Sequence, residues 1–270
     1  MNPPPSPLRI GDAAVYVEGE GPPIVMVHGW PDTFRLWDAQ AAFLKDRYRC
    51  IRFTLPGFDI GGPRKAYSLD ALVDTLKAVV DTLSPGEPVT LLLHDWGCVF
   101  GYQFAMCHPG LVARVIGVDI GDAGSRAHLR AMRAKDKFMV FAYQFWLALA
   151  WKIGGQLGDR MTRAMARWAR CPSDPQFIGS NMCYPYYIRW FGAHGSYRQV
   201  KPFKPQWPML FIWGKRKLFQ FQSKEWVAAL NARPGSRALE FDTGHWVMSA
   251  RPEAFNAAVG QWLAETNRPA

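Results

Sequence analysis

Apolar residues in the first half of the chain come in short unbroken runs rather than in alternation with polar ones. Pro23-Ile-Val-Met-Val-His28, Cys50–Leu55 and Val89–Leu93 each read as a buried strand, and Ala13–Val17 as a shorter one. Between them, Thr33–Arg47 and Ser68–Leu83 carry a helical pattern, the second opened by Ser68 as a cap ahead of Asp70. Strands that are apolar on both sides, separated by helices, predict a mostly parallel central sheet flanked by helices, an α/β architecture.

After Arg114–Asp119 the pattern changes. From about Ser125 to Pro205 the chain is basic, aromatic and helical in character, with no strand-like run of its own. Pro202, Pro205 and Pro208 punctuate its end. Strand–helix alternation resumes at Met209–Trp213, followed by a strand-like Arg237–Asp242, a turn at Thr243-Gly244 and a helix over Pro252–Thr266. The expected organisation is a core of residues 1–124 and 206–270, with an inserted helical cap of residues 125–205. Open α/β sheets bind ligands at the carboxyl ends of their strands, and the insertion is expected to lie there.

Composition narrows the function classes. The 270 residues are 49% hydrophobic and 14% aromatic, with 12 Trp, too much apolar surface for a disordered chain. Five Cys without a CxxC pair exclude a disulfide scaffold and give no metal-ligand spacing; nothing calls for a cofactor. The start, MNPPPSPLRI, lacks the pattern of a signal peptide, so a cytoplasmic location is expected. The net charge of +10 is concentrated: residues 126–170 hold ten Lys or Arg against two Asp. No nucleic-acid-binding signature accompanies them, so a solvated helix face is the favoured reading, and contact with an anionic membrane surface the weaker one. The apolar run Phe138–Trp151, interrupted by Gln144, is shorter than the ~20 residues of a membrane span. The oligomeric state is not legible.

The most specific segment is Leu91-Leu-Leu-His-Asp-Trp-Gly-Cys98, where a buried strand turns sharply into a helix. Asp95 stands at the turn, the position that exposes a nucleophile beside a helix N-terminus. A Ser there attacks acyl carbons. An Asp attacks saturated carbon instead, giving an alkyl ester that water then cleaves at the carboxyl carbon. The alternative is that Asp95 only caps the helix.

His94-Asp-Trp-Gly97, His28-Gly-Trp-Pro31 and Asp242-Thr-Gly-His-Trp246 together resemble the α/β-hydrolase superfamily, in its epoxide hydrolase and haloalkane dehalogenase branch. The resemblance covers nearly the whole chain, with Leu93 standing where a smaller residue is usual. It implies that Asp95 is the nucleophile, that the amides of Trp30 and Trp96 form the oxyanion hole, and that His245 is the general base. Trp30 stands where dehalogenases generally carry Asn or Glu, which favours the epoxide hydrolase side. The family's usual acid position, after the strand Met209–Trp213, is filled by Lys217. Some dehalogenases carry the acid on an earlier strand, where this chain has Asp119, with Asp122 as second candidate. The resemblance further implies two tyrosine hydroxyls from the cap to protonate the epoxide oxygen. Tyr143 is the first; Tyr187 and Tyr186 compete for the second, with Tyr184 third.

The expected function is hydrolysis of a lipophilic epoxide to a diol, with a small apolar substrate and water as the only partners. The alternatives are a haloalkane dehalogenase using the same Asp95, and a degenerate member that binds a lipophilic ligand without turnover. An Asp119 carboxylate reaching His245 favours an enzyme; Lys217 filling that space alone favours a binding protein.

Overall fold

The computed structural model describes residues 6–266. Residues 1–5, part of the segment read for a leader, lie outside them. Eight strands form one sheet: β1 (Leu8–Ile10), β2 (Ala13–Glu18), β3 (Pro23–Val27), β4 (Arg49–Phe53), β5 (Val89–His94), β6 (Val112–Val118), β7 (Met209–Gly214) and β8 (Arg237–Phe241). Their order is β1-β2-β4-β3-β5-β6-β7-β8. β1 and β2 pair antiparallel at one edge and β2 is antiparallel to β4; every other pairing is parallel.

The unbroken apolar runs have a simple cause. Successive strand residues face opposite sides, and both sides are covered. Val25, Val27, Leu91 and Leu93 pack with helices α2 (Leu69–Leu83) and α3 (Trp96–Cys107). Ile24, Met26 and Leu92 pack on the other side with α1 (Asp38–Leu44), α9 (Val247–Ala250) and α10 (Pro252–Thr266). Ser68 caps α2 as expected, its hydroxyl accepting from the Ala71 amide. The segment expected as one helix over Thr33–Arg47 divides instead. A 3₁₀ turn, Phe34–Trp37, capped by Thr33, precedes α1 and buries Phe34 and Trp37.

Between β6 and β7 the chain forms α4 (Arg126–Ala131), α5 (Ala134–Ile153), α6 (Gly155–Trp168) and α7 (Tyr184–Phe191) with short 3₁₀ turns. α8 (Lys224–Asn231) follows β7. Among the described residues no helix is long and apolar enough to cross a membrane. From β3 the chain crosses to β4 on one side; from β5 it crosses to β6 on the other. The carboxyl ends of β3 and β5 therefore flank the crevice where such sheets place ligands.

Candidate active site

β5 delivers Asp95 to that crevice. The strand ends at His94, α3 starts at Trp96, and the single residue between makes the whole reversal. Asp95 adopts φ 52° and ψ −122°, a conformation that costs a non-glycine residue of order 1–3 kcal/mol. Two neighbouring glycines make room for it. A Cβ on Gly97 would lie 2.4 Å from the Val27 carbonyl oxygen, and one on Gly29 would lie 2.5 Å from Asp95 Oδ1 and from the Trp96 nitrogen.

The two carboxylate oxygens of Asp95 have different surroundings. Oδ1 accepts from the Trp30 amide at 2.8 Å, and the neighbouring Trp96 amide adds to the stabilisation of the charged carboxylate. Oδ2 faces His245 Nε2 at 3.5 Å. Burial alone would raise the Asp95 pKa; the neighbouring His245 and the Trp96 amide outweigh it and hold the group below the usual range.

His245 reaches the crevice from the loop after β8, and its Nδ1 is bonded to Asp119 Oδ2. Asp119 follows β6 and is completely buried, at φ 73°. Its Oδ1 accepts from the Gly214 amide at 3.0 Å and lies 2.8 Å from Lys217 Nζ. Lys217 thus does occupy the position after β7, but pairs with the carboxylate that stands beside His245. Burial would raise the Asp119 pKa; the charges of Lys217 and His245 overcome this and hold it at about 2. Burial would lower the His245 pKa, and the Asp119 and Asp95 carboxylates reverse this and lift it to about 9. Asp122 is elsewhere, accepting from Ser223 N at 2.7 Å, Ser223 Oγ at 2.8 Å and Ser125 Oγ at 2.6 Å. It ties together the two serines that cap α4 and α8.

A cavity of about 840 Å³ opens over Asp95 and His245, its apolar wall including Trp30, Met165, Trp168, Phe219, Phe221 and Trp246. Tyr143 of α5 and Tyr186 of α7 both line it, with ring centroids 6.2 Å apart. The Tyr186 ring stands edge-on to Trp30 and Trp96, at 5.9 and 5.3 Å. Burial first, and then the charge of Asp95, raise both hydroxyls above the ordinary tyrosine pKa, so both stay O–H donors. Tyr187, the competing candidate, is not part of this wall. It stacks on Trp151 at 4.2 Å and on Phe191 at 5.4 Å, one residue further round the same helix. Tyr184 is buried against Phe58 and Tyr67.

Two residues support the site, and one of them, Asp32, escapes sequence reading. Asp32, buried directly after His28-Gly-Trp-Pro31, accepts from Trp246 Nε1 at 2.9 Å and from Ser173 Oγ at 2.5 Å. Its place beside a motif was the signal available. His94 lies under His245, its Nε2 3.3 Å from the His245 carbonyl oxygen, and burial above all lowers its pKa to about 3. His28 is fully engaged by backbone, through the Leu55 amide and the Gly29 carbonyl. No group of three His, Cys, Asp or Glu side chains among the described residues is placed to hold a metal. A carboxylate with one oxygen bound by amides and the other free beside a charge-supported imidazole can attack carbon, form an ester and present it to water.

Comparison with known proteins agrees with the architecture. An epoxide hydrolase of Caballeronia sordidicola is 26% identical over 283 aligned positions, spanning 86% of this chain and 84% of that protein. A Mycobacterium tuberculosis protein named "Probable oxidoreductase EphD" is 39% identical over 121 positions, 43% of this chain. The match takes in only 20% of that longer protein, so the chain spans about a fifth of the length of such relatives. The crystal structure of an epoxide hydrolase from Bacillus megaterium, complexed with its diol product, superposes with a TM-score of 0.72 at 18% identity, covering 93% of this chain and 96% of the other. The family model for the alpha/beta hydrolase family matches residues 24–258, and the chain belongs to that family.

Proposed function

We propose that the protein hydrolyses a lipophilic epoxide to a diol through an alkyl ester on Asp95. The observation that carries this reading is the asymmetry of that carboxylate, with Oδ1 on the Trp30 amide and Oδ2 free beside His245, in a cavity lined by two tyrosines. Oδ2 attacks an epoxide carbon and the C–O bond of the ring breaks. Tyr143 and Tyr186 donate hydrogen bonds, and one of them a proton, to the oxygen released.

The ester also changes His245. In the resting state two carboxylates hold its pKa near 9, so the imidazole is protonated at neutral pH. Esterification of Asp95 removes one of those charges, and the pKa falls. The imidazolium proton passes through solvent to the tyrosine that gave up its own, and His245 becomes a base at the stage when water must be deprotonated. Hydroxide adds to Cγ of Asp95, and the negative charge forms on Oδ1, held by the Trp30 and Trp96 amides. The ester C–O bond breaks, the diol leaves with a proton, and the carboxylate returns with one oxygen from solvent. On this reading the helices between β6 and β7 act as a cap that supplies the tyrosines and excludes water.

Single-turnover reaction of a lipophilic epoxide in ¹⁸O-labelled water tests the sequence of steps. Label is expected in the Asp95 carboxylate and absent from the first diol released. Label appearing directly in that diol overturns the covalent route. Halide release from alkyl halides, without diol from epoxides, points to dehalogenation. Absence of either product favours a binding protein.

A further inference from the structure

The outer side of the helices that carry the two cavity tyrosines is aromatic. On α5, Phe138 is 68% and Phe141 40% exposed; on α7, Phe191 is 38% exposed. The Phe141 and Phe191 rings form a continuous surface with their neighbours, and Phe138 stands one helical turn before Phe141. Phe141 meets Phe145 at 5.5 Å and Trp190 at 4.9 Å, and Phe145 meets Phe191 at 5.8 Å. Single exposed apolar side chains are ordinary, but a contiguous aromatic patch marks a surface that something covers.

Cations are interleaved with these rings. Lys152 Nζ stands 4.8 Å above the Phe191 ring, the Arg189 guanidinium 5.9 Å from Trp190, and Arg64 4.2 Å above Trp151. The wider segment is as one-sided in charge. Residues 126–205 carry 14 Lys or Arg against three Asp, leaving 18 basic and 19 acidic residues in the rest of the chain. Of those three, Asp136 is held by Arg133, Asp159 by Ser180, and Asp174 caps its own turn. The whole net charge of the protein therefore lies on the segment that bears the aromatic patch.

We infer that the α5–α7 face docks on an anionic lipid surface. Aromatic rings enter the headgroup region while the flanking Lys and Arg meet lipid phosphates, the combination that holds interfacial helices. A second copy of this chain fits the same face poorly, because it would bring two strongly positive segments together. Crossing the bilayer is a separate matter, and no described helix is suited to it. The inference stands whatever the chemistry at Asp95. It does bring a lipophilic compound dissolved in the membrane within one helix thickness of Tyr143: Trp190 Nε1 donates to Gln144 Oε1 at 3.2 Å, and the Gln144 amide donates to the Tyr143 hydroxyl at 3.1 Å.

Flotation of the full chain with phosphatidylcholine vesicles, with and without about one-third phosphatidylglycerol, tests the proposal. Binding is expected to the anionic vesicles, falling steeply between low and physiological salt, with little to the neutral ones. The double variant F138E/F141E, confirmed as folded by circular dichroism, is expected to lose at least tenfold in vesicle binding. K152E gives an independent reading, because it reverses one charge and leaves every aromatic residue in place. Wild-type protein that stays unbound with anionic vesicles overturns the proposal, as does binding that neither variant weakens. A dimer in solution that F138E/F141E dissociates, with no vesicle binding, assigns the face to a second copy instead.

Discussion

Lys217 and Asp119 form a buried ion pair, Nζ to Oδ1 at 2.8 Å, on the carboxylate whose other oxygen bonds His245. One anion is thus shared between two cations. The lysine withdraws part of the charge that Asp119 would otherwise offer His245, which restrains the rise of the imidazole pKa.

Replacing Lys217 with Met is expected to release that restraint. The His245 pKa rises, a neutral base requires a higher pH, and the acid limb of the kcat profile moves upward by roughly one pH unit. An unchanged limb, with only stability lost, would assign Lys217 a purely structural part.

Asp119 and Asp122 separate cleanly. Asp119→Asn leaves the imidazolium without its partner and is expected to slow ester hydrolysis by roughly 100-fold or more, so that an alkyl-enzyme accumulates in intact mass spectra. Asp122→Asn disturbs only the two serine caps, and should retain turnover while losing about 1–2 kcal/mol in urea unfolding. Full activity in the Asp119 variant would remove it from the machinery.

The tyrosines divide by the face they occupy. Tyr143→Phe and Tyr186→Phe are each expected to slow formation of the Asp95 ester by roughly 100-fold in single-turnover experiments, leaving its hydrolysis little affected. Tyr187→Phe, whose ring lies on Trp151, should leave both steps alone. Loss of activity in the Tyr187 variant alone would contradict the assignment.

Asp32 predicts a pH dependence of stability. Burial is the main cause that raises its pKa from 3.8 to about 6, against the hydrogen bonds from Ser173 and Trp246. A group bound more tightly to its proton in the folded state contributes stability that is present in full below 3.8 and is lost as pH rises through 6. Relative to Asp32→Asn, the wild type is therefore expected to lose up to about 3 kcal/mol between those limits. Parallel unfolding curves from pH 4 to 7 measure it. A constant difference across that range would place the Asp32 pKa outside it.

The central strands are legible because burial on both faces leaves them few polar positions, and Pro252–Thr266 matches its helix residue for residue. β1 is not, since three exposed or half-exposed edge residues carry no pattern. Asp119 is legible only through the family resemblance, beside Asp122 as second candidate, and its partnership with Lys217 is a contact between two loops 98 positions apart. The choice between Tyr186 and Tyr187 turns on one helical step of 100°. A 3₁₀ turn, Ser180–Cys183, leads into α7, and Pro185 sits in its first turn, so the sequence does not set the register. The same blindness hid the aromatic surface: an apolar run such as Phe138–Trp151 reads as interior wherever its rings point.

Gly29 shows how little separates an open catalytic corner from a blocked one. The room beside Asp95 Oδ1 is the room a methyl group on residue 29 would take, 2.5 Å from that oxygen and equally close to the Trp96 nitrogen. An alanine there would press its methyl against the carboxylate and the turn that holds it, and one of them would have to move. Inactive descendants of this fold can therefore arise without losing any residue that does chemistry, by the gain of a single carbon.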